Sequence, residues 1–325
     1  MRAAWYERNG PAHEVLQLGE QPDPLPGPGE VRVRLRASGI NPSDAKGRGG
    51  NRPMSAPLII PGSDGAGVID AVGARVPKRR IGERVWVYYG QFQRALGTSA
   101  QMIALPSRLA VPLPAKIPYA AGACLGVPVM TAHRCVFGEG AVDGLTVLVT
   151  GGAGVVGHYA VQLARWGGAR VIATVSSDEK AAHAKKGGAH AVIDYRREDV
   201  AARLHQITRG AGIDRVVDVE LGVNLPTYAA ALRPNAAISC YASVAAQEAV
   251  LPLRLRQLNL NVRMVYVYTM PEGARRHALA DIARWLQDGR PKFTVARRFA
   301  LDRIADAHDF VEGGQRIGQA VLDLG

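Results

Sequence analysis

The run Thr150–Gly157, "TGGAGVVG", spaces three glycines for close approach of a ligand to the backbone. Gly152, Gly154 and Gly157 fit G-x-G-x-x-G. The apolar stretch Val147–Val149 precedes them, and a helical pattern follows with Val156, Ala160 and Leu163 on one side. In a strand–turn–helix context the first glycine permits a tight turn. The second lets a pyrophosphate reach the backbone, and the third lets the helix pack close to the strand. The helix start, from Val155 and Val156, then offers free N–H groups and a positive dipole end. The pattern predicts a dinucleotide pyrophosphate at this turn.

The next strand end selects the dinucleotide. NAD sites usually carry Asp or Glu there, to bond the ribose 2′-hydroxyl. "RVIATVSSDEK" places Ser176 there, 19 residues beyond Gly157. Without a carboxylate, a 2′-phosphate meets no repulsion. Ser176 and Ser177 offer hydroxyl donors, and Lys180 offers a positive charge one turn along. Ser176 also reads as a helix N-cap, with Glu179 closing a capping box. The competing reading sends Asp178 or Glu179 to the ribose. With Glu179 occupied as a cap, the pattern predicts NADPH.

Two kinds of element must hold these residues. Up to about residue 120 the chain is rich in Pro and Gly, with short β-type runs: "EVRVRLRASGI", "GAGVIDAVG" and "ERVWVYY". This half reads as a β-rich, barrel-like domain. From about residue 120, "AAGACLGVPVMTAHRCVF" reads as one helix. Strands and helices then alternate through Val147–Val149, Val155–Trp166, "RVIATV", "AHAVIDY", Ile213–Val219, Ala237–Tyr241 and Val262–Tyr268. That alternation predicts a parallel sheet with right-handed crossovers. The tail, with helices near 278–286 and 304–311 and strands near 293–299 and 320–324, is too short for a domain. It is expected to pack back onto the first half. The expected domains are 1–121 with 270–325, and 122–269.

Composition sets outer bounds. The 325 residues are 47% hydrophobic and 21% charged, ordinary for a globular chain. No apolar run reaches about 18 residues, so no membrane span is expected. "MRAAWYERNG" lacks the apolar core of a signal peptide, which predicts a cytoplasmic protein. Cys124, Cys135 and Cys240 form no CxxC pair, which argues against a disulfide framework or a four-thiolate zinc site. Net charge is +12, but the basic clusters at 78–80, 275–276 and 297–298 are scattered and no nucleic-acid motif accompanies them. Nucleic acid is not expected as the main partner.

Together the motifs resemble the zinc-independent medium-chain dehydrogenases/reductases, the quinone oxidoreductase (zeta-crystallin-like) group. The carriers are "ASGINPSDAKGRGG", "PGSDGAGVIDAVG", "GERVW", "GTSAQMIALP", "GVPVMTAHRC", "TGGAGVVGHYAVQLAR", "GAHAVIDYR" and "IGQAVLDL". The resemblance covers nearly the whole chain. It implies an α/β protein: a GroES-like β-rich catalytic domain and a Rossmann-type doubly wound parallel sheet, with the active cleft between them. It also implies homodimers paired through a Rossmann edge strand, here Val262–Tyr268. By the same resemblance, Lys180 and Tyr195 hold the 2′-phosphate of NADPH. Zinc-using cousins place a Cys in "GVCHSD" and a His-Glu in "GHE". Here Asn41 and Ser63-Asp64 stand there, and the third ligand position falls on Val127. A catalytic zinc normally needs three protein ligands, so no metal is expected.

Without a Lewis acid the hydride acceptor must already be activated, as a quinone or an α,β-unsaturated carbonyl. Negative charge moves to oxygen, and a donor near it lowers the barrier. Asn41 is the expected donor, through its amide N–H₂. Asp44 is expected to fix the loop. Lys46 and Arg52 stand where quinone reductases of this group tend to carry tyrosines. With Arg48 they read as solvated loop charges or, alternatively, as a cleft edge suited to an acidic acceptor, such as a 2-alkenoate or a CoA-linked enoyl group. Tyr88, Tyr89 and Gln91 are expected on the opposite wall of the substrate cleft. Tyr241, Ala242 and Ser243 end a strand where open sheets bind ligands; they are expected beside the nicotinamide, with Val127 and Thr131 on its other side. His133 is expected to be packed, and no general acid is assigned. A reading of a different class is an NADPH-regulated RNA-binding protein.

Overall fold

Val31, Val33, Leu35 and Ala37 alternate inward along the 11-residue strand Glu30–Ile40. One face of this strand therefore meets the core, as the period-2 pattern requires. It pairs antiparallel with Asp64–Val72, with Met102–Pro106 and with Gln319–Asp323. Gln319–Asp323 also pairs in parallel with Val295–Ala300, and Asp64–Val72 continues to Arg84–Val87 and Ala110–Pro112. The result is a seven-stranded, mostly antiparallel sheet. The C-terminal tail supplies two of its strands, so its return to the first half is a matter of strand pairing. The structure is a computed structural model describing residues 1–242, 248–314 and 316–325. These form two compact units, Met1–Val127 with Phe293–Gly325, and Pro128–Lys292.

The second unit is built on six parallel strands. Their spatial order is 191–194, 170–175, 146–149, 213–218, 232–240 and 261–264. Numbered by chain position, that is 3-2-1-4-5-6, the doubly wound order with its switch point between the first and fourth strands. Leu148, Ile172, Ile193, Val216 and Ile238 are buried along its middle. Near-continuous apolar strands are what a sheet covered on both faces demands. Helix Val155–Trp166 and strand Arg170–Val175 have the bounds expected from sequence.

Three elements differ from expectation. The apolar stretch after 118 is two helices, Tyr119–Gly122 and Val127–Phe137. The break lets Gly126 pass the Asp64 carboxylate: a Cβ there would stand 2.0 Å from Asp64 Oδ1. The last strand of the parallel sheet is only Asn261–Met264, and Val267–Thr269 is a 3-10 turn. Its described pairing with strand Leu232–Cys240 ends at Cys240, opposite Met264. Helix Glu272–Asp288 lies in the second unit, whereas the expected boundary at 270 set it with the first. Asp281 of this helix is bonded to buried His133 at 2.8 Å, and Trp285 packs edge-on to Tyr159. No helix among the described residues is long and apolar enough to cross a membrane.

Candidate active site

The glycine turn sits at the carboxyl end of strand Thr146–Val149, beside the switch point. Its division of labour differs in one respect from the expected one. The left-handed residue is Gly151, at φ +62°, outside the three-glycine pattern. Gly152 is needed for space: a Cβ there would lie 2.6 Å from the Ala173 Cβ on the neighbouring strand. Gly157 brings the helix onto the turn, where a Cβ would meet Gly151 O at 2.3 Å. Gly154 is the exposed one. A Cβ there would meet only Gly151 O, at 3.2 Å. No side chain caps the helix at Gly154, and His158 N–H makes the first helical bond, to Gly154 O at 2.8 Å. The N–H groups of Val155, Val156 and Gly157 precede that bond and face the helix start. This is a cradle suited to a diphosphate.

At the end of the second strand, Ser176 is buried and accepts from Lys180 Nζ at 3.0 Å. The helix cap is Ser177, not Ser176: Ser177 Oγ accepts from Lys180 N–H at 3.3 Å. Lys180 therefore holds the third helical position, and Glu179 closes no box with Ser176. The carboxylate of Asp178 pairs with Arg197 at 3.2 Å, both exposed. Tyr195 is half exposed, and its N–H donates to Val175 O at 3.1 Å, so it stands beside the same strand end. Ser176, Ser177, Lys180 and Tyr195 are thus gathered at one edge of the sheet, with a cation already turned toward a hydroxyl.

Next to them opens a cavity of about 730 Å³, lined by Thr150, Gly151, Thr174, Tyr195, Val219, Glu220 and Asn224 among others. Buried Asp218 bonds the lining residues Thr150, Glu220 and Asn224 from behind. That carboxylate accepts from Thr150 Oγ1 at 2.8 Å, from Asn224 Nδ2 and Tyr228 Oη at 2.7 Å, and from Glu220 N–H at 2.9 Å. The network ties the ends of the first and fourth strands together. Sequence reasoning missed Val219, Glu220 and Asn224. The signal was available, because ligands in such sheets bind beyond the strand ends at the switch point.

Tyr241 and Ala242 follow strand Leu232–Cys240, with Tyr241 N–H bonded to Asp218 O at 3.1 Å; Ser243 lies outside the described residues. Thr131 is buried on helix Val127–Phe137.

Asn41 lies at the start of helix Pro42–Arg48, 2% exposed. Its backbone N–H donates to Asp44 Oδ2, and its side-chain Nδ2 donates to Asp64 Oδ2, each at 2.8 Å. Gln319 Nε2 donates to Asn41 Oδ1 at 3.1 Å. Asp44 accepts a further bond from Ser63 Oγ at 3.0 Å, and Val127 N–H donates to both oxygens of Asp64, at 2.9 and 2.8 Å. Burial pushes the Asp44 carboxyl up to about 6. Burial, with the neighbouring Asp44 charge adding to it, raises Asp64 well above the ordinary aspartate range, against the hydrogen bonds from Asn41 and Val127. Asp44 fixes the loop as expected, and Val127 serves through its backbone. Asn, Ser and Val at the three cousin positions offer no thiolate or imidazole. Among the described residues no group of three or more His, Cys, Asp or Glu is placed to hold a metal ion.

The residues expected around the acceptor divide. Lys46 is exposed. Arg48 is 2% exposed and turned inward to Glu312 and the Gly10 carbonyl, so it is a structural ion pair and not a cleft charge. Arg52 is half-buried against Gln91. Tyr88 and Tyr89 are 1% and 4% exposed, packed ring to ring at 4.7 Å, with Tyr88 Oη donating to Arg108 O. They are core residues here, since a strand end rich in aromatics packs inward once Trp86 does. His133 is packed and bonded to Asp281, as expected.

A 3-2-1-4-5-6 sheet with a glycine cradle and an uncapped helix start, joined in one chain to a β-rich unit, defines a dinucleotide-dependent oxidoreductase. Residues 27–115 match the family model described as alcohol dehydrogenase GroES-like domain, and residues 155–287 match that of zinc-binding dehydrogenase. A 2-haloacrylate reductase of Burkholderia sp is 32% identical over 341 residues, 99% of this chain and 98% of its own. Among solved structures, an NAD-dependent alcohol dehydrogenase superposes with a TM-score of 0.91 at 29% identity, covering 100% of each chain. Escherichia coli quinone oxidoreductase, solved with NADPH, gives 0.85 at 26% identity, over 99% of this chain and 100% of that one. The chain belongs to the quinone oxidoreductase-like, zinc-independent family of medium-chain dehydrogenases/reductases.

Proposed function

We propose that the protein is an NADPH-dependent reductase of quinones or α,β-unsaturated carbonyls. One observation carries the choice of cofactor: Lys180 Nζ lies 3.0 Å from Ser176 Oγ at the strand end where an NAD site has a carboxylate. Asp178, at the start of the following helix, is paired with Arg197. Tyr195 at the adjoining strand end completes a seat for a 2′-phosphate. The E. coli quinone oxidoreductase solved with NADPH supports the same reading.

The residues present fit the cofactor. Gly154 leaves room for the diphosphate over the first helical turn, and the cavity beside Thr150 and Val219 has room for the adenosine half. When bound, NADPH would supply one hydride to the acceptor's electron-poor carbon and leave as NADP⁺, with water supplying the proton that completes the reduction. Thr131, Tyr241 and Ala242 border the nicotinamide end. We assign the side-chain amide of Asn41 to steady the charge that develops on the acceptor oxygen. Asp64 and Gln319 hold that amide in one orientation. The exposed edge of strand Asn261–Met264, with Met264 and Tyr266 outward, pairs two copies in a homodimer, and the protein works in the cytoplasm.

The test is a fluorescence titration with NADPH and NADH, followed by oxidation with 9,10-phenanthrenequinone and 2-alkenals. Binding of NADPH at least tenfold tighter than NADH, with turnover of one acceptor class, is expected. Lys180→Ala should remove most of that preference, because a charge-assisted bond contributes about 1.5–3 kcal/mol. Equal losses for both cofactors, or no oxidation at all, would refute the reading.

A further inference from the structure

We infer that Arg52 is an anchor for a carboxylate on the acceptor, which makes the substrate an activated alkene or carbonyl compound that also carries an acid group. The inference rests on the reductase reading and concerns which acceptors that reductase prefers.

Arg52 is held in a built seat. Helix Pro42–Arg48 has glycine at its sixth position, where glycine costs about 0.5–1 kcal/mol relative to alanine. The reason lies outside the helix. A Cβ on Gly47 would stand 2.9 Å from Arg52 Nη2, 3.0 Å from Nε and 3.2 Å from Cζ, so the whole guanidinium lies over the bare backbone. Gly50, at φ +100°, reverses the chain after the helix, with Asn51 N–H bonded to Lys46 O at 3.0 Å, and this brings Arg52 back over Gly47. Asn9 Nδ2 donates to the Gly47 and Arg48 carbonyls at 2.9 and 3.1 Å and fixes the seat from below.

The partner of Arg52 is neutral. Its Nη2 donates to Gln91 Oε1 at 2.9 Å, and Gln91 Nε2 donates to Arg94 O at 3.1 Å, which settles which end of the amide faces Arg52. Gln91 is 7% exposed. Arg48, four residues earlier, is neutralised by Glu312. Arg52 forms no salt bridge among the described residues, although a guanidinium has five N–H donors and favours a bidentate anion. Burial raises the Asp44 carboxyl, and the Arg52 charge is among the influences that lower it. An oriented, half-buried cation with a neutral anchor, seated on the helix that Asn41 begins, selects an anionic acceptor. The carboxylate itself makes and breaks no bond.

The experiment compares trans-4-oxo-2-pentenoate with its methyl ester at saturating NADPH, in the wild type, Arg52→Met and Gly47→Ala. Arg52→Met deletes the charge. Gly47→Ala keeps it, raises helix propensity and pushes the guanidinium off its seat. The wild type should favour the acid over the ester in kcat/KM, mainly through KM. Both variants should cut the acid-to-ester ratio by about ten- to a hundredfold, the range of a charge-assisted bond. A wild-type ratio near one, or a ratio that survives either substitution, overturns the assignment. NADPH oxidation with the ester but no preference for the acid leaves the reductase reading standing and removes Arg52's role. No oxidation with either compound, or with a neutral quinone, removes both.

Discussion

The side-chain amide of Asn41 donates to the Asp64 carboxylate at 2.8 Å, while Gln319 donates to the Asn41 carbonyl oxygen at 3.1 Å. An amide free to flip presents donor and acceptor equally; this one presents its N–H₂ on one side only. Asn41→Ala should therefore lower kcat by about 10²–10³, the effect of removing one donor from a developing oxyanion. The dissociation constant of NADPH should stay within twofold. Asp64→Asn should lower kcat in the same direction by loosening Asn41. Stopped-flow NADPH oxidation checks both. Loss of cofactor binding in Asn41→Ala, with kcat intact, would count against the donor role.

Burial holds the Asp44 proton to about pH 6, against an ordinary value near 3.8. As pH rises from about 4 to about 6, the unfolded chain has released this proton while the folded chain still binds it. Raising the pH through that window therefore favours unfolding, by about 3 kcal/mol at most. Asp44→Asn removes the titration. Urea midpoints of the two proteins at pH 4.5 and 7 should show the wild type losing more stability on the alkaline side. Parallel changes in both proteins would mean that Asp44 is ionised throughout.

Two of the motif glycines, Gly154 and Gly157, should separate by phenotype. Gly154→Ala meets only Gly151 O, at 3.2 Å, and should cost about 1 kcal/mol or less of stability while weakening NADPH binding at least tenfold. Gly157→Ala meets that carbonyl at 2.3 Å and should cost about 1–3 kcal/mol even without cofactor. Thermal melts with and without NADPH distinguish the two. Identical apo melting losses would show that Gly154 is structural.

Met264, the last residue of the end strand Asn261–Met264, is 66% exposed, and Tyr266 just beyond the strand is 55% exposed. The proposed homodimer uses this end strand, since an edge strand with exposed apolar side chains is a template for pairing. Met264→Asp should turn a dimer into a monomer in sedimentation equilibrium. A wild type that sediments as a monomer would remove the edge-pairing proposal.

Local patterns were legible wherever the cause was local. The strand–glycine–helix run from 146 to 166 and strand Arg170–Val175 follow from period and glycine spacing alone. What sequence could not show was each feature set by a distant partner. The break before Val127 exists because Asp64, 63 residues earlier, takes the Val127 N–H. Arg48 and Arg52 read alike as loop charges, but Glu312 neutralises one and Gly47 seats the other. The helix cap fell one residue late because Ser176 and Ser177 are equivalent as letters. Only the turn of Ser176 toward Lys180 separates them. Asn224 and Val219 belong to the site because the fourth strand lies beside the first, an adjacency that strand order fixes and local pattern does not.

The most direct measurement follows deuterium. Reduction of trans-4-oxo-2-pentenoate with 4-deuterated NADPH of each face, in ordinary water, should place one deuteron per turnover on the alkene carbon, from one cofactor face only, as read by NMR. Exchange into product from solvent alone, label from both faces equally, or NADPH left unoxidised would contradict direct hydride transfer by this protein.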